Sequence, residues 1–188
     1  SLLEKVEEEV RRLLKRLRDI VEEVRRLLEE SNERAHRSSK KVKEDIDELL
    51  KELEDVVRRV KKGDEEAVRR LLDEVVKTVE EIVRRDVELL REIVEENERI
   101  IRKVEEELKR VVEEVRRIVD DVRRKLKDNK DLVKTLEDIL ERAEREVKKL
   151  EDRLRKLLED SKRNAEELIK RTEDVLEEAL RRVEELKK

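Results

Sequence analysis

Apolar residues recur along this chain at alternating steps of three and four, and only two short segments punctuate that rhythm. The first run reads Leu3, Val6, Val10, Leu13, Leu17, Ile20, Val24 and Leu28, and resumes at Val42, Ile46, Leu49, Leu53, Val56 and Val60. The second reads Val68, Leu72, Val75, Val79, Val83, Val87, Leu90 and Val94, then Ile101, Val104, Leu108, Val111, Val115, Ile118 and Val122. The third reads Leu136, Ile139, Ala143, Val147, Leu150, Leu154 and Leu157, then Leu168, Val175, Ala179 and Val183. This spacing gathers the apolar side chains into one stripe of an α-helix, with the polar residues on the other face.

The two punctuating segments carry turn chemistry. In Lys61-Lys62-Gly63-Asp64-Glu65-Glu66 the lysines complement a helix C-terminus, Gly63 supplies a left-handed residue, and Asp64 caps the next helix ahead of two acids. In Lys127-Asp128-Asn129-Lys130-Asp131 the left-handed residue is expected at Asn129 and the cap at Asp128 or Asp131. The expected helices are therefore about 1–62, 64–127 and 131–188, each roughly 60 residues or ~90 Å long. Near-equal helices joined by tight turns must run antiparallel to their neighbours. The expected fold is all-α, an antiparallel up-down-up three-helix bundle forming a single domain over 1–188.

Composition agrees with a helical surface written for water. Charged residues make up 57% of the chain, against about 25% in typical globular domains. Aromatic residues, Pro, Cys and Met are absent, and there is one Gly. High charge without aromatics also describes disordered chains, but those lack regular apolar spacing. With no cysteine there are no disulfides or thiolate metal sites, and the redox compartment stays open. Ser1-Leu2-Leu3-Glu4-Lys5 is not expected to be a signal peptide, because charges interrupt the apolar run. No stretch approaches the ~20 apolar residues of a membrane-spanning helix, so a soluble protein is expected. The 52 basic and 56 acidic residues are interleaved and leave a net charge of −4. Such a pattern solvates a surface without attracting nucleic acid or anionic membrane.

The quantity of hydrophobe bears on assembly. A strict two-in-seven seam needs ~29% and a wide three-in-seven face ~43%; the chain has 35%. That suits three helices closing on one another, as a monomer, better than a chain that must bury a second face. The string Glu-Glu-Val-Arg-Arg at 8–12, 22–26 and 113–117 places acids three and four residues before arginines. Each such pair is worth a few tenths of a kcal/mol and serves helicity and solubility.

All three seams lose their aliphatic residues at one height. The first helix carries Ser31, Asn32, Ala35, His36, Ser38 and Ser39, the second Asn97, and the third Ser161, Asn164, Ala165 and Thr172. Hairpin geometry makes paired residue numbers add to about 126 across the first turn and about 258 across the second. Asn97 then falls level with 29–30 and with Ser161, and a second slab brings Ser38 or Ser39 near Thr172. We read Ser31, Asn32, His36, Ser38, Ser39, Asn97, Ser161, Asn164 and Thr172 as a buried hydrogen-bond network. Such a network penalises shifted registers, which would bury its groups unpaired. Two other readings stand beside it: some of these residues face water on the flank of the seam, or Asn164-Ala165-Glu166-Glu167 marks a helix start.

Chemistry finds little purchase. His36 is the sole histidine, and Glu33-x-x-His36 is one half-motif where a di-iron bundle needs two plus further glutamates. No metal or cofactor is expected. Glu33, His36 and Ser39 share a helical stripe, yet nothing supplies an oxyanion hole or a strained nucleophile turn, so no enzyme is expected. A histidine in a polar layer also offers a pH switch. Nucleic-acid binding lacks a basic stripe and stacking aromatics.

These features together resemble computationally designed helical bundles carrying buried hydrogen-bond networks: idealised helices, Glu/Lys/Arg surfaces, Leu/Val/Ile cores, minimal turns and Ser/Asn/His/Thr layers. The resemblance covers the whole chain and implies high stability and no natural biochemical function. The absence of aromatics departs from many such designs; spectrin repeats, the nearest natural comparison, carry tryptophans that this chain lacks. Two roles follow: a monomeric structural scaffold that needs no partner, or an interaction component, either a subunit of a designed assembly or a helix-displacement or pH switch. Light scattering separates them. The scaffold reading expects a 22.8 kDa particle, and a stable dimer or trimer contradicts it.

Overall fold

The computed structural model describes residues 1–60 and 63–188. Every regular element among them is an α-helix: α1 spans Leu2–Arg59, α2 Glu65–Lys125 and α3 Lys130–Leu186. Their bodies are built from Leu, Glu, Lys and Arg, straight-chain residues that lose little rotamer freedom in a helix. The many valines of α2 are poorer helix formers, and the burial of its apolar stripe offsets that deficit.

Each helix start satisfies its orphan N–H groups differently. At α1, Ser1 Oγ accepts the Glu4 N–H at 3.3 Å, while the Glu4 carboxylate lies 3.7 Å from the terminal ammonium. This reciprocal pair is a capping box written Ser-Leu-Leu-Glu. At α2, Gly63 takes φ 119°, the left-handed region its lack of Cβ allows, and the Asp64 carbonyl accepts the Val68 N–H at 3.1 Å. The lysines expected to complement the end of α1, Lys61 and Lys62, lie outside the described residues.

The second turn corrects the sequence reading. No non-glycine residue among those described has positive φ, so Asn129 is not left-handed. It is itself the cap: its Oδ1 accepts the Leu132 N–H at 3.2 Å, and its carbonyl accepts the Val133 N–H at 3.1 Å. A short amide side chain gains a hydrogen bond in that position and avoids the steric cost of the left-handed region.

The chain divides into two compact units, Ser1–Glu29 with Glu96–Asp160, and Glu30–Glu95 with Ser161–Lys188. Unit 1 has a continuous aliphatic core in which Leu17, Leu108, Leu136 and Leu154 are fully buried. Arg116–Glu144 and Arg123–Glu137 link α2 to α3 there, and both pairs of numbers add to 260, so the two segments run antiparallel. Arg18 and Glu146 meet at 3.0 Å across α1 and α3. Unit 2 has one aliphatic cluster around Ile46, Leu50, Leu72 and Val79 and a smaller one of Ala35, Leu90, Ile93 and Leu168. Within it, Asp73–Lys187 adds to 260 and Asp86–Thr172 to 258, again antiparallel. His36–Asn164 and Glu54–Arg182 both differ by 128, so the α1 and α3 segments run in the same direction.

The buried stripe departs from the expected seam in places. Val56 is 43% exposed, with Leu53 buried and Val57 half-buried beside it. Val21, Ile93 and Val119 are buried where Ile20, Val94 and Ile118 are only half-buried. A straight α-helix drifts about 20° per heptad against a 3.5-residue repeat, so a neighbouring residue takes over the core position.

On the outer faces Arg25 bridges Glu22 at 2.5 Å and Glu29 at 2.6 Å, and Arg84 bridges Glu81 and Glu88 at the same distances. Hydrogen bonds from Arg25, Arg84 and Arg99 hold Glu22, Glu81 and Glu96 below the ordinary carboxylate value. A lowered folded-state pKa contributes stability above the unfolded value, and that contribution is lost as pH falls through the folded one. These contacts are fully at the surface, so their effect is confined to acid pH and weakened by salt.

The turn assignment is open to direct test. Asn129→Ala should cost about 1 kcal/mol by urea denaturation, while Asp128→Ala and Asp131→Ala should each stay within about 0.5 kcal/mol of the parent. A larger loss at Asp128 or Asp131 would move the cap there.

Candidate functional site: a buried carboxylate held by hydroxyls

Asp86 is the one charged side chain among the described residues that is buried, at 3% exposure. It occupies the core stripe of α2 between Val83 and Leu90. The Ser38 hydroxyl donates to its Oδ1 at 2.6 Å. Ser39 donates to Oδ2 at 3.1 Å, and Thr172 donates to the same oxygen at 3.0 Å. One carboxylate thus ties α1, α2 and α3 together within unit 2. One turn away on each helix stand Leu90, Leu168 and Ala35, members of the small apolar cluster.

Electrostatics explains why three donors are needed. Taking a carboxylate out of water costs several kcal/mol unless its lone pairs are filled. Each hydrogen bond to a charged group returns about 1.5–3 kcal/mol. Among the described residues no buried side-chain nitrogen or oxygen lacks a partner. The arrangement is therefore satisfied as built, and it depends on Ser38, Ser39 and Thr172 standing at one level.

The structure distributes the nine expected residues unevenly. Ser38 and Ser39 are half-buried and Thr172 is buried, and all three converge on Asp86. Ser39 and Thr172 share one acceptor oxygen, Oδ2, and Ser38 takes the other. His36 is exposed, which corrects its expected burial; its Nε2 lies 2.9 Å from Oδ1 of the half-buried Asn164. The imidazole stands one residue off the core stripe marked by the buried Ala35, so it joins α1 to α3 at the surface. Asn32 is likewise half-buried beside the buried Ser31. Ser31, Asn97 and Ser161 are buried at 6%, 1% and 2% exposure, and each engages a polar partner. Asn97 belongs to unit 1, and Ser31 and Ser161 to unit 2.

Asp86 escaped the sequence reading, although a signal was present. Asp86 falls three residues after Val83 and four before Leu90, on the three-four rhythm itself. In a chain with 56 acidic residues, and with Val87 offering an apolar alternative one position on, an acid on the stripe is easily passed over.

The Ser39 hydroxyl donates a hydrogen bond to Asp86 and His36 pairs with Asn164, so the Glu33–His36–Ser39 stripe contains no histidine–serine hydrogen bond among its pairs. Among the described residues no group of three or more His, Cys, Asp or Glu could hold a metal ion. No helix of the described residues is long and apolar enough to cross a membrane.

Comparison with known proteins adds the fold. A solved structure described as a computationally designed three helix bundle aligns with 98% of this chain and 94% of its own, at TM-score 0.65 and 19% sequence identity. The chain thus has the three-helix bundle fold of that designed protein. No family model matches the sequence, and no curated protein does.

Thr172→Val keeps shape while deleting one donor, and should cost about 1.5–3 kcal/mol in chemical denaturation. Asn32→Ala should remain within about 0.5 kcal/mol of the parent. Similar losses at both positions would remove the special status of the Asp86 cluster.

Proposed function

We propose that this protein is a designed structural scaffold, one up-down-up domain over residues 1–188, whose polar layer specifies how its helices align. The observation that carries this reading is Asp86, a buried carboxylate accepting hydroxyl hydrogen bonds from both other helices. Aliphatic layers are nearly interchangeable: a Leu- or Val-lined stripe shifted by one heptad still buries apolar surface. A shift at Asp86 strands a charge and three hydroxyls in aliphatic surroundings, and breaking one side of a buried polar arrangement costs about 3–5 kcal/mol. Ser31 and Ser161, buried and polar on α1 and α3 of unit 2, serve the same end, and the pairs His36–Asn164 and Arg182–Glu54 agree with the alignment. In this reading the protein needs no cofactor and catalyses no reaction.

The test replaces the cluster as a whole, with Ser38→Ala, Ser39→Ala, Asp86→Leu and Thr172→Val combined. Exchange of a complete buried polar group for apolar side chains is often neutral or stabilising. The expected result is a melting temperature equal to or above the parent's, with amide NMR spectra that split into more than one set of resonances. A single sharp set in the quadruple variant, matching the parent away from the substitutions, would refute the alignment role.

A further inference from the structure

The two stretches of α3 are held by different forces. In unit 1, α3 buries Leu136, Ile139, Ala143, Val147, Leu150 and Leu154, all but Ala143 large aliphatics. In unit 2, its six buried residues are Ser161, Ala165, Leu168, Thr172, Ala179 and Val183. Only Leu168 and Val183 among them are large and apolar, and Ile169, Val175, Leu176 and Leu186 add partial cover. The α1 and α2 segments of unit 2 are better provided, with Ile46, Leu50 and Leu53 on one and Leu72, Val79 and Leu90 on the other. Burial of a Leu-sized side chain is worth about 1.5–3 kcal/mol, and an alanine contributes far less.

Polar ties compensate on this stretch. Thr172 donates to Asp86. Arg182 reaches Glu54 at 2.9 Å and Asp47 at 3.4 Å, Lys187 lies 3.8 Å from Asp73, and Asn164 meets His36 at 2.9 Å. Arg182 is the best placed of these, with its side chain 27% exposed against Glu54 at 26%. Part-exposed ion pairs remain open to screening, whereas aliphatic burial does not weaken with simple salt.

We propose that the C-terminal stretch of α3, residues 161–186, is an electrostatically fastened strap that opens from unit 2 ahead of global unfolding, and opens more readily as salt rises. The inference does not depend on the alignment role of Asp86: a strap fastened by polar ties opens early whether or not those ties also select register. Local openings of this kind occur where buried apolar contacts are few, and they set the exchange of the amides they release.

Native-state hydrogen exchange on the full chain tests this at low salt and at about 1 M sodium chloride, where the Debye length falls to about 3 Å. Amides of 165–183 are expected to exchange at least about tenfold faster than those of 136–154. Salt is expected to speed the strap a further three- to fivefold, roughly what the loss of one ion pair allows, and to leave 136–154 unchanged. Arg182→Gln, which removes the cation and keeps the side chain's stem, should reproduce most of the salt effect at low salt. Equal protection along both stretches of α3 would overturn the strap. Faster exchange at 165–183 that ignores both salt and Arg182→Gln would overturn its electrostatic fastening.

Discussion

A carboxylate placed among aliphatic side chains imposes a requirement that no hydrophobic layer imposes. Leucine packs acceptably against whatever apolar surface it meets, and cores of the right size and pattern tolerate many arrangements. Asp86 tolerates few. At 3% exposure it must find donors, and the donors it has come from α1 and α3 in unit 2, at 2.6, 3.1 and 3.0 Å. Its net energetic contribution is small, because desolvation and hydrogen bonding nearly cancel. What we propose it supplies is a difference between the native alignment and any shifted one. We take that difference, rather than net stability, to be the reason for an acid in this position.

The unequal character of the two units follows the same logic. Unit 1 is bound by an unbroken series of aliphatics from Val6 to Leu154, with Asn97 its one buried polar residue among those described. Unit 2 holds Ser31, Asp86, Ser161 and Thr172, and its apolar residues fall into two clusters. Polar residues at core positions displace aliphatic ones, so a region that gains specificity gives up some hydrophobic stabilisation. The alanines at 165 and 179 take this further, leaving α3 dependent there on Thr172 and Arg182.

The helices were plainly legible in the sequence, for a physical reason: a stripe repeated over many turns leaves no competing secondary structure, and Gly63 and the Asp128-Asn129 segment are the only breaks. What was less legible depended on details one residue wide. Asn129 carries the same letter whether it takes a left-handed conformation or caps α3, and only the Leu132 N–H decides between them. The drift of a straight helix against the heptad moved burial from Ile20 to Val21 and from Ile118 to Val119. At the polar layer, neutral residues such as Ser161 and Thr172 stood out against Leu and Val, whereas Asp86 was camouflaged by its many acidic neighbours. His36 drew attention by its rarity and turned out to be at the surface, paired with Asn164. Rarity of a residue type, in short, proved a weaker guide to burial than position on the stripe.

The central claim is that the Asp86 cluster holds α1 and α3 at one offset, and a distance between those helices measures it most directly. Spin labels at Glu44 on α1 and Arg171 on α3, both exposed positions of unit 2, report that offset through pulsed electron-electron resonance. The parent should give one narrow distance distribution. The variant with Ser38→Ala, Ser39→Ala, Asp86→Leu and Thr172→Val should add a second population, because a one-heptad slip translates a helix by about 10 Å. A distribution equally narrow and equally centred in both proteins would contradict the account, leaving the aliphatic layers and the turns as sufficient to align the bundle.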